Sequence, residues 1–225
     1  MKKALLIPGL GGTADCWAPF FTGRLETKFS IESKALPEEG ETIKDFAELL
    51  MPSDNIDLLI GFSIGAAVVQ EMLVLNPNIA SKVVLMAPPA GSNYPSPPNE
   101  SRDFSKGRGK WSLSMLEMMF TPEWLATVPD VSQIFPRIKK QVPEELLIKQ
   151  SKAISDWPGC LSKLKTITVP VLILSGLYDM ITPVVHSNAI QNSIPNATFY
   201  SFETGHAFPW QNPIEAADKI LEFYQ

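Results

Sequence analysis

The sequence predicts an α/β protein: a mostly parallel sheet of about six strands, helices on both faces, and an inserted helical segment. Three observations predict it. Short apolar runs alternate with longer segments of helical periodicity along most of the chain, the pattern of strands joined by crossover helices. Three runs, IDLLIGF, KVVLMAP and VPVLILSG, are apolar throughout, as strands covered on both faces must be. One stretch, from Pro88 to about Thr166, carries no strand pattern. So long a connection inside a compact domain must hold its own structure or serve the function.

The strands are read, in order, as Lys3 to Ile7, Ser30 to Ala35, Asp57 to Ile60, Lys82 to Met86, Val169 to Leu174 and Thr198 to Phe202. Helical patterns lie between them at about 42–52, 64–76, 184–193 and 213–224. Asn76-Pro77-Asn78 stops the second of these, and Asn212-Pro213 opens the last as an N-cap followed by proline at the first helical position. Within the long insertion, a proline-rich entry and the basic stretch Arg102 to Lys110 precede helical patterns at 111–120, 122–127, 131–141 and 143–155. The expected organisation is a core of residues 1–93 and 166–225, with a helical cap over 94–165 between the fourth and fifth strands.

Bulk properties exclude several classes. The chain has 225 residues, 45% hydrophobic and 19% charged, enough to bury one large core and too apolar for disorder. A net charge of −5 and a pI near 5.1 argue against nucleic acid as a partner. The basic excess over residues 94–165 reads as ordinary solvated surface, with a docking face for an anion as the alternative, and the cluster Arg102 to Lys110 hints at an anionic substrate. Cys16 and Cys160 are too few and too far apart for a disulfide framework or a metal motif, so both read as small buried hydrophobes. Met1-Lys2-Lys3 before Ala4-Leu5-Leu6-Ile7 looks like a leader, but the apolar run stops at Pro8-Gly9. With no span long enough for a bilayer, the expectation is a cytoplasmic protein, monomer or homodimer.

The sharpest chemical signal is Gly61-Phe62-Ser63-Ile64-Gly65, preceded by the strand residues Leu58-Leu59-Ile60 and followed by the helical residues Ala66-Ala67-Val68-Val69. G-x-S-x-G at a strand-to-helix turn lifts a serine hydroxyl above the sheet, and the flanking glycines relieve the clash between strand and helix. A serine that merely caps a helix is the plainer alternative. A nucleophilic serine needs a base, and the chain has two histidines. His186 falls in the first turn of a helix pattern and reads as a surface residue. His206 follows the last strand, at the end of the sheet where catalytic groups gather. Asp179 follows the apolar strand Val171-Leu172-Ile173-Leu174, where a carboxylate can accept from a histidine Nδ1–H. The order Ser63, Asp179, His206 is that of one triad fold and not of the others. For an oxyanion, the backbone amides of Ile64 and of Leu10, in the loop Pro8-Gly9-Leu10-Gly11-Gly12-Thr13, are the expected donors. That loop lacks the Lys-Ser/Thr of a phosphate-binding loop.

Taken together, LLIPGLGGTADCW, LLIGFSIGAAVVQEML, VPVLILSGLYDMITP and ETGHAFPWQNPIEAADKILEFY resemble the α/β-hydrolase superfamily, in its capped branch of small esterases, enol-lactonases and haloperoxidase-type enzymes. The resemblance covers the whole chain. It implies a Ser63–Asp179–His206 triad, an oxyanion hole at Leu10 and Ile64, no cofactor and no metal. Three departures stand out: Pro8-Gly9 where the family usually has His-Gly, a second loop reduced to Leu36-Pro37-Glu38-Glu39-Gly40-Glu41-Thr42, and no antiparallel strands before the first strand.

The expected substrate is a small carboxylic ester or lactone with an apolar part, bound among Trp17, Phe62, Trp111, Met119, Trp124, Phe208 and Trp210. Met and aromatic residues at helical spacing also serve simply as packing. The same triad could run C–C hydrolysis, elimination, acyl transfer or perhydrolysis, and a binding protein without turnover is the alternative from another class.

Overall fold

A computed structural model describes the backbone of residues 1–97, 108–130, 134 and 142–225, and the side chains of all of these except 108–113. Six strands form one sheet: β1 (Lys2–Ile7), β2 (Phe29–Ser33), β3 (Ile56–Phe62), β4 (Ala80–Met86), β5 (Val171–Gly176) and β6 (Ala197–Phe202). Their spatial order is β2-β1-β3-β4-β5-β6 and every pair is parallel. The helices are α1 (Pro19–Leu25), α2 (Ile43–Leu50), α3 (Ile64–Leu75), α4 (Arg108–Met119), α5 (Pro122–Leu125), α6 (Glu144–Asp156), α7 (Leu161–Leu164), α8 (Val184–Ser193), α9 (Phe208–Gln211) and α10 (Pro213–Phe223).

The continuous apolar strands divide by the two-residue period of a strand. Leu5, Ile7, Leu59, Val83, Leu85, Val171 and Ile173 enter one buried cluster with residues of α2, α3, α7 and α8. Their neighbours Ala4, Leu6, Leu58, Ile60, Val84, Met86, Leu172 and Leu174 enter a second with α1 and α10. Both faces are thus covered, which is why these strands carry no polar alternation.

Registers align the carboxyl ends of the inner strands. Ile7 pairs with Gly61, Phe62 with Met86, Met86 with Leu174 and Gly176 with Phe202. The loops after β1, β3, β5 and β6 therefore leave the sheet along one edge. Between β4 and β5 the described residues contain α4 to α7 and no strand. The helical pattern expected at 131–141 and the basic stretch Arg102 to Lys110 lie wholly or largely outside the described residues.

Two expectations are corrected. Asn212 does not cap α10 with its side chain, which instead donates to Glu215 Oε2 at 3.1 Å. The residue does stand at the N-cap position with Pro213 opening α10, and it also terminates α9, its backbone at φ −126° and ψ 60°. His186 is not a surface residue: it is 3% exposed. Its Nδ1 accepts the Ala90 amide at 3.0 Å and its Nε2 donates to the Pro95 carbonyl at 2.6 Å. The loop after β4 folds over His186 in the first turn of α8 and buries it.

Candidate active site

Ser63 sits between β3 and α3 with φ 55° and ψ −122°, a left-handed conformation that costs a non-glycine residue free energy and recurs at functional sites. Its amide donates to the Met86 carbonyl at 2.9 Å, which ties the turn to the end of β4. The two flanking glycines are required by close approach. A Cβ on Gly61 would lie 2.5 Å from the Gly65 carbonyl oxygen, and one on Gly65 would lie 2.3 Å from the Ile7 oxygen and 2.5 Å from the Pro8 oxygen. The serine side chain makes no capping bond to α3, so the plainer reading of Ser63 as a helix cap has no support in the geometry.

The loop after β1 lies against this turn. A Cβ on Gly9 would meet the Phe62 ring at 3.1 Å and Ser63 Cβ at 3.3 Å. The loop is closed by Gly12 N–H to the Gly9 carbonyl at 3.0 Å and anchored by Gly11 N–H to Gln150 Oε1 at 2.9 Å. Leu10, between Gly9 and Gly11, is held on both sides. Ile64 is the first residue of α3, and the first amides of a helix have no partner within it.

Asp179 and His206 are brought together by the loops after β5 and β6. Leu177 N–H bonds the Phe202 carbonyl at 2.7 Å and Tyr178 N–H the Thr204 carbonyl at 2.9 Å. The two loops approach so closely that a Cβ on Gly176 would lie 2.0 Å from the Gly205 oxygen. His206 Nδ1 is 2.8 Å from Asp179 Oδ2, and neither side chain is exposed beyond 2%. A carboxylate only accepts, so Nδ1 carries the proton and Nε2 presents its lone pair. Asp179 Oδ1 accepts the amides of Ile181 and Thr182, at 2.8 Å each. Glu203, the carboxylate nearest His206 in sequence, is exposed. Phe62, the residue before Ser63, packs against His206 with ring centroids 5.0 Å apart.

The aromatic residues expected to line a pocket divide. Trp17, Phe62 and Trp210 form one packed group, with Trp17 stacked on Trp210 at 6.0 Å and Phe62 at 5.3 Å from Trp210. Trp17 also lines an open cleft with Asp15, Thr22, Glu26, Ile31 and Ser33. Phe208 is fully buried and stacked on Phe202 at 4.8 Å, a core position. Trp124 stacks on Phe120 at 4.5 Å. Met119 is partly buried, and its carbonyl accepts the Ala207 amide at 2.8 Å, beside the histidine. The Trp111 side chain lies outside the described residues.

A second layer of contacts around the pair is not among the residues expected from sequence. Thr182 Oγ1 lies 2.9 Å from Asp179 Oδ2. Gln211 accepts the Gly205 amide at 2.9 Å and donates to Thr121 Oγ1 at 3.2 Å. A threonine three residues after an aspartate is a local turn signal that could have been read. Gln150 and Gln211 act across 139 and 90 positions, which no local pattern reports. Among the described residues no three His, Cys, Asp or Glu side chains converge to hold a metal ion, and no helix is long and apolar enough to cross a membrane.

A serine on a strained strand-to-helix turn, beside a buried histidine–carboxylate pair at the carboxyl edge of a parallel sheet, defines the class, and the chain matches the alpha/beta hydrolase family over residues 4–219. It belongs to that family. Among solved structures it is similar to an enol-lactonase from Burkholderia xenovorans LB400 (TM-score 0.83, 16% identity, 99% of this chain and 91% of that one). It is likewise similar to a thermophilic esterase from Thermogutta terrifontis (TM-score 0.79, 20% identity, 99% and 89%). A serine hydrolase from Cycloclasticus zankles gives a TM-score of 0.79 at 17% identity, with 100% and 90% covered. At these identities the likeness is one of fold. No match was found among curated protein sequences.

Proposed function

We propose that this protein is a serine hydrolase that cleaves a small carboxylic ester or lactone through an acyl-enzyme. Ser63 is the nucleophile, His206 the base and Asp179 the acid that orients it. The observation that carries the reading is the buried His206–Asp179 pair, 2.8 Å apart, beside the strained Ser63 turn. With Nδ1–H held by Asp179, Nε2 takes the serine proton as Oγ attacks the acyl carbon. The imidazolium then protonates the leaving alkoxide, and a water activated by the same nitrogen releases the acid. The Leu10 and Ile64 amides stabilise the oxyanion.

Residues 94–165 act as a cap over this site. Support comes from two contacts: Gln150 of α6 holds the oxyanion loop, and the Met119 carbonyl holds the histidine loop. An apolar acyl or alcohol group is accommodated beside Met119 and Trp124. The neighbours described as an esterase and an enol-lactonase favour the same reaction class. Two buried free thiols fit a reducing, cytoplasmic setting. The test is an ester and lactone panel run on wild type, Ser63→Ala, His206→Gln and His186→Gln. Turnover lost in the first two variants and kept in the third is expected. Loss only with His186→Gln would overturn the assignment.

A further inference from the structure

Thr182 is 6% exposed and its hydroxyl oxygen has three polar neighbours: Asp179 Oδ2 at 2.9 Å, the Ala87 carbonyl at 3.0 Å and His206 Nδ1 at 3.3 Å. A helix cap would be the ordinary role for a threonine at this place. The geometry excludes it, because α8 takes Pro183 as its N-cap and receives no side-chain cap. The Ala87 carbonyl reaches Thr182 from a residue with φ 46°, a left-handed conformation in an alanine. The backbone at the end of β4 is therefore turned toward the same hydroxyl.

The hydroxyl has one proton and two acceptors, Ala87 O and Asp179 Oδ2. The His206 Nδ1–H is already committed to Oδ2. A hydrogen bond to an ionised acceptor is about twice as strong as one to a neutral carbonyl. We infer that Thr182 donates to Asp179 Oδ2 and is a positioning residue for the triad. The inference rests on the Ser63–His206–Asp179 reading. Asp179 Oδ1 is pinned by the Ile181 and Thr182 amides, but those bonds leave the carboxylate free to tilt about that oxygen. The Thr182 hydroxyl fixes the other oxygen, so that Oδ2 stays in line with Nδ1–H. It also completes four donors around a carboxylate that has no water-exposed surface. As the imidazolium forms during attack, an oxygen held in place stabilises it without reorganisation.

The test compares Thr182→Val, which keeps the shape and removes the hydroxyl, with Thr182→Ser, which restores the hydroxyl. On a short-chain p-nitrophenyl ester, Thr182→Val should lose about 10- to 100-fold in kcat, the loss expected for one charge-assisted hydrogen bond in a buried site. KM should stay within about twofold, and the rate of fluorophosphonate labelling should fall with kcat. Thr182→Ser should recover to within about threefold of wild type. Thr182→Ala, folding checked by circular dichroism, repeats the deletion should the valine variant not fold. Rescue by serine with the loss confined to kcat supports the inference. The inference is overturned if the hydroxyl-deleted variants keep more than half of wild-type kcat, if serine fails to rescue, or if the loss falls on KM. Ser63→Ala run beside them separates the two readings: an inactive Ser63→Ala with an unaffected Thr182→Val removes only the role of Thr182. A fully active Ser63→Ala removes both.

Discussion

Replacing Asp179 by asparagine exchanges one oxygen for an NH₂ group and leaves the shape unchanged, so its consequence can be followed bond by bond. Oδ1 accepts two backbone amides at 2.8 Å, from Ile181 and Thr182. The asparagine oxygen must take that place, because the opposite orientation sets NH₂ against two N–H groups. Its NH₂ then occupies the Oδ2 position, 2.8 Å from His206 Nδ1. Donor faces donor. The imidazole relieves the conflict by moving its proton to Nε2, the nitrogen proposed to accept from Ser63, so the proposed base should be lost with the fold intact. Loss of the base in this way costs up to about ten-thousandfold in kcat in serine proteases, about 5 kcal/mol of barrier. The assay is kcat on a short-chain p-nitrophenyl ester, with circular dichroism and thermal melting to establish folding. A folded Asp179→Asn retaining more than about a tenth of wild-type kcat would refute the reasoning, most directly if Glu203→Gln lost activity in its place.

Three further outcomes follow from the packing and the titrating groups. Gly65→Ala forces a methyl group against the carbonyls of Ile7 at the end of β1 and of Pro8 just after it, at 2.3 and 2.5 Å. It should destabilise by about 1–3 kcal/mol and lower Tm by about 2–10 °C; an unchanged or raised Tm would contradict the close approach. Burial holds the His186 pKa below its ordinary 6.5, so the folded chain keeps it neutral while the unfolded chain protonates. Its contribution to stability is complete above about pH 6.5 and is lost as pH falls toward and through the depressed value. His186→Gln should flatten the stability–pH curve in that acid window and nowhere else, and an identical curve would remove the buried-histidine account. Burial pushes both the Cys16 and the Cys160 thiols up to about 12. A disulfide-exchange dye should therefore react slowly with the native protein at pH 8 and fully after denaturation; rapid native reaction would contradict it.

What could be read from the sequence followed from how local each signal is. The strands β3, β4 and β5 are apolar on both faces, and their composition marks them without any knowledge of neighbours. The helix α1 escaped, since Pro19–Leu25 is short, carries Gly23 and has no side-chain cap to announce it. Ser63, Asp179 and His206 could be proposed because each follows a strand whose carboxyl end could be located. His186 was misread for the opposite reason. Its burial is made by Ala90 and Pro95, more than 90 positions away, and the local pattern after Pro183 is that of an exposed first turn. Asn212-Pro213 opens α10 where the local pattern puts it, but the same residue ends the helical turn Phe208–Gln211, and its side chain bonds Glu215 instead of a helix amide.

The central claim is that Ser63 is a covalent nucleophile, and one measurement addresses it most directly. Wild type and Ser63→Ala are treated with a fluorophosphonate probe, digested, and the labelled peptide is mapped by mass spectrometry. The account predicts a single phosphonylated residue in wild type, Ser63, with turnover abolished in proportion to labelling, and no label on the variant. Equal labelling of wild type and Ser63→Ala, or a label that maps to another residue while Ser63 stays unmodified, would contradict it.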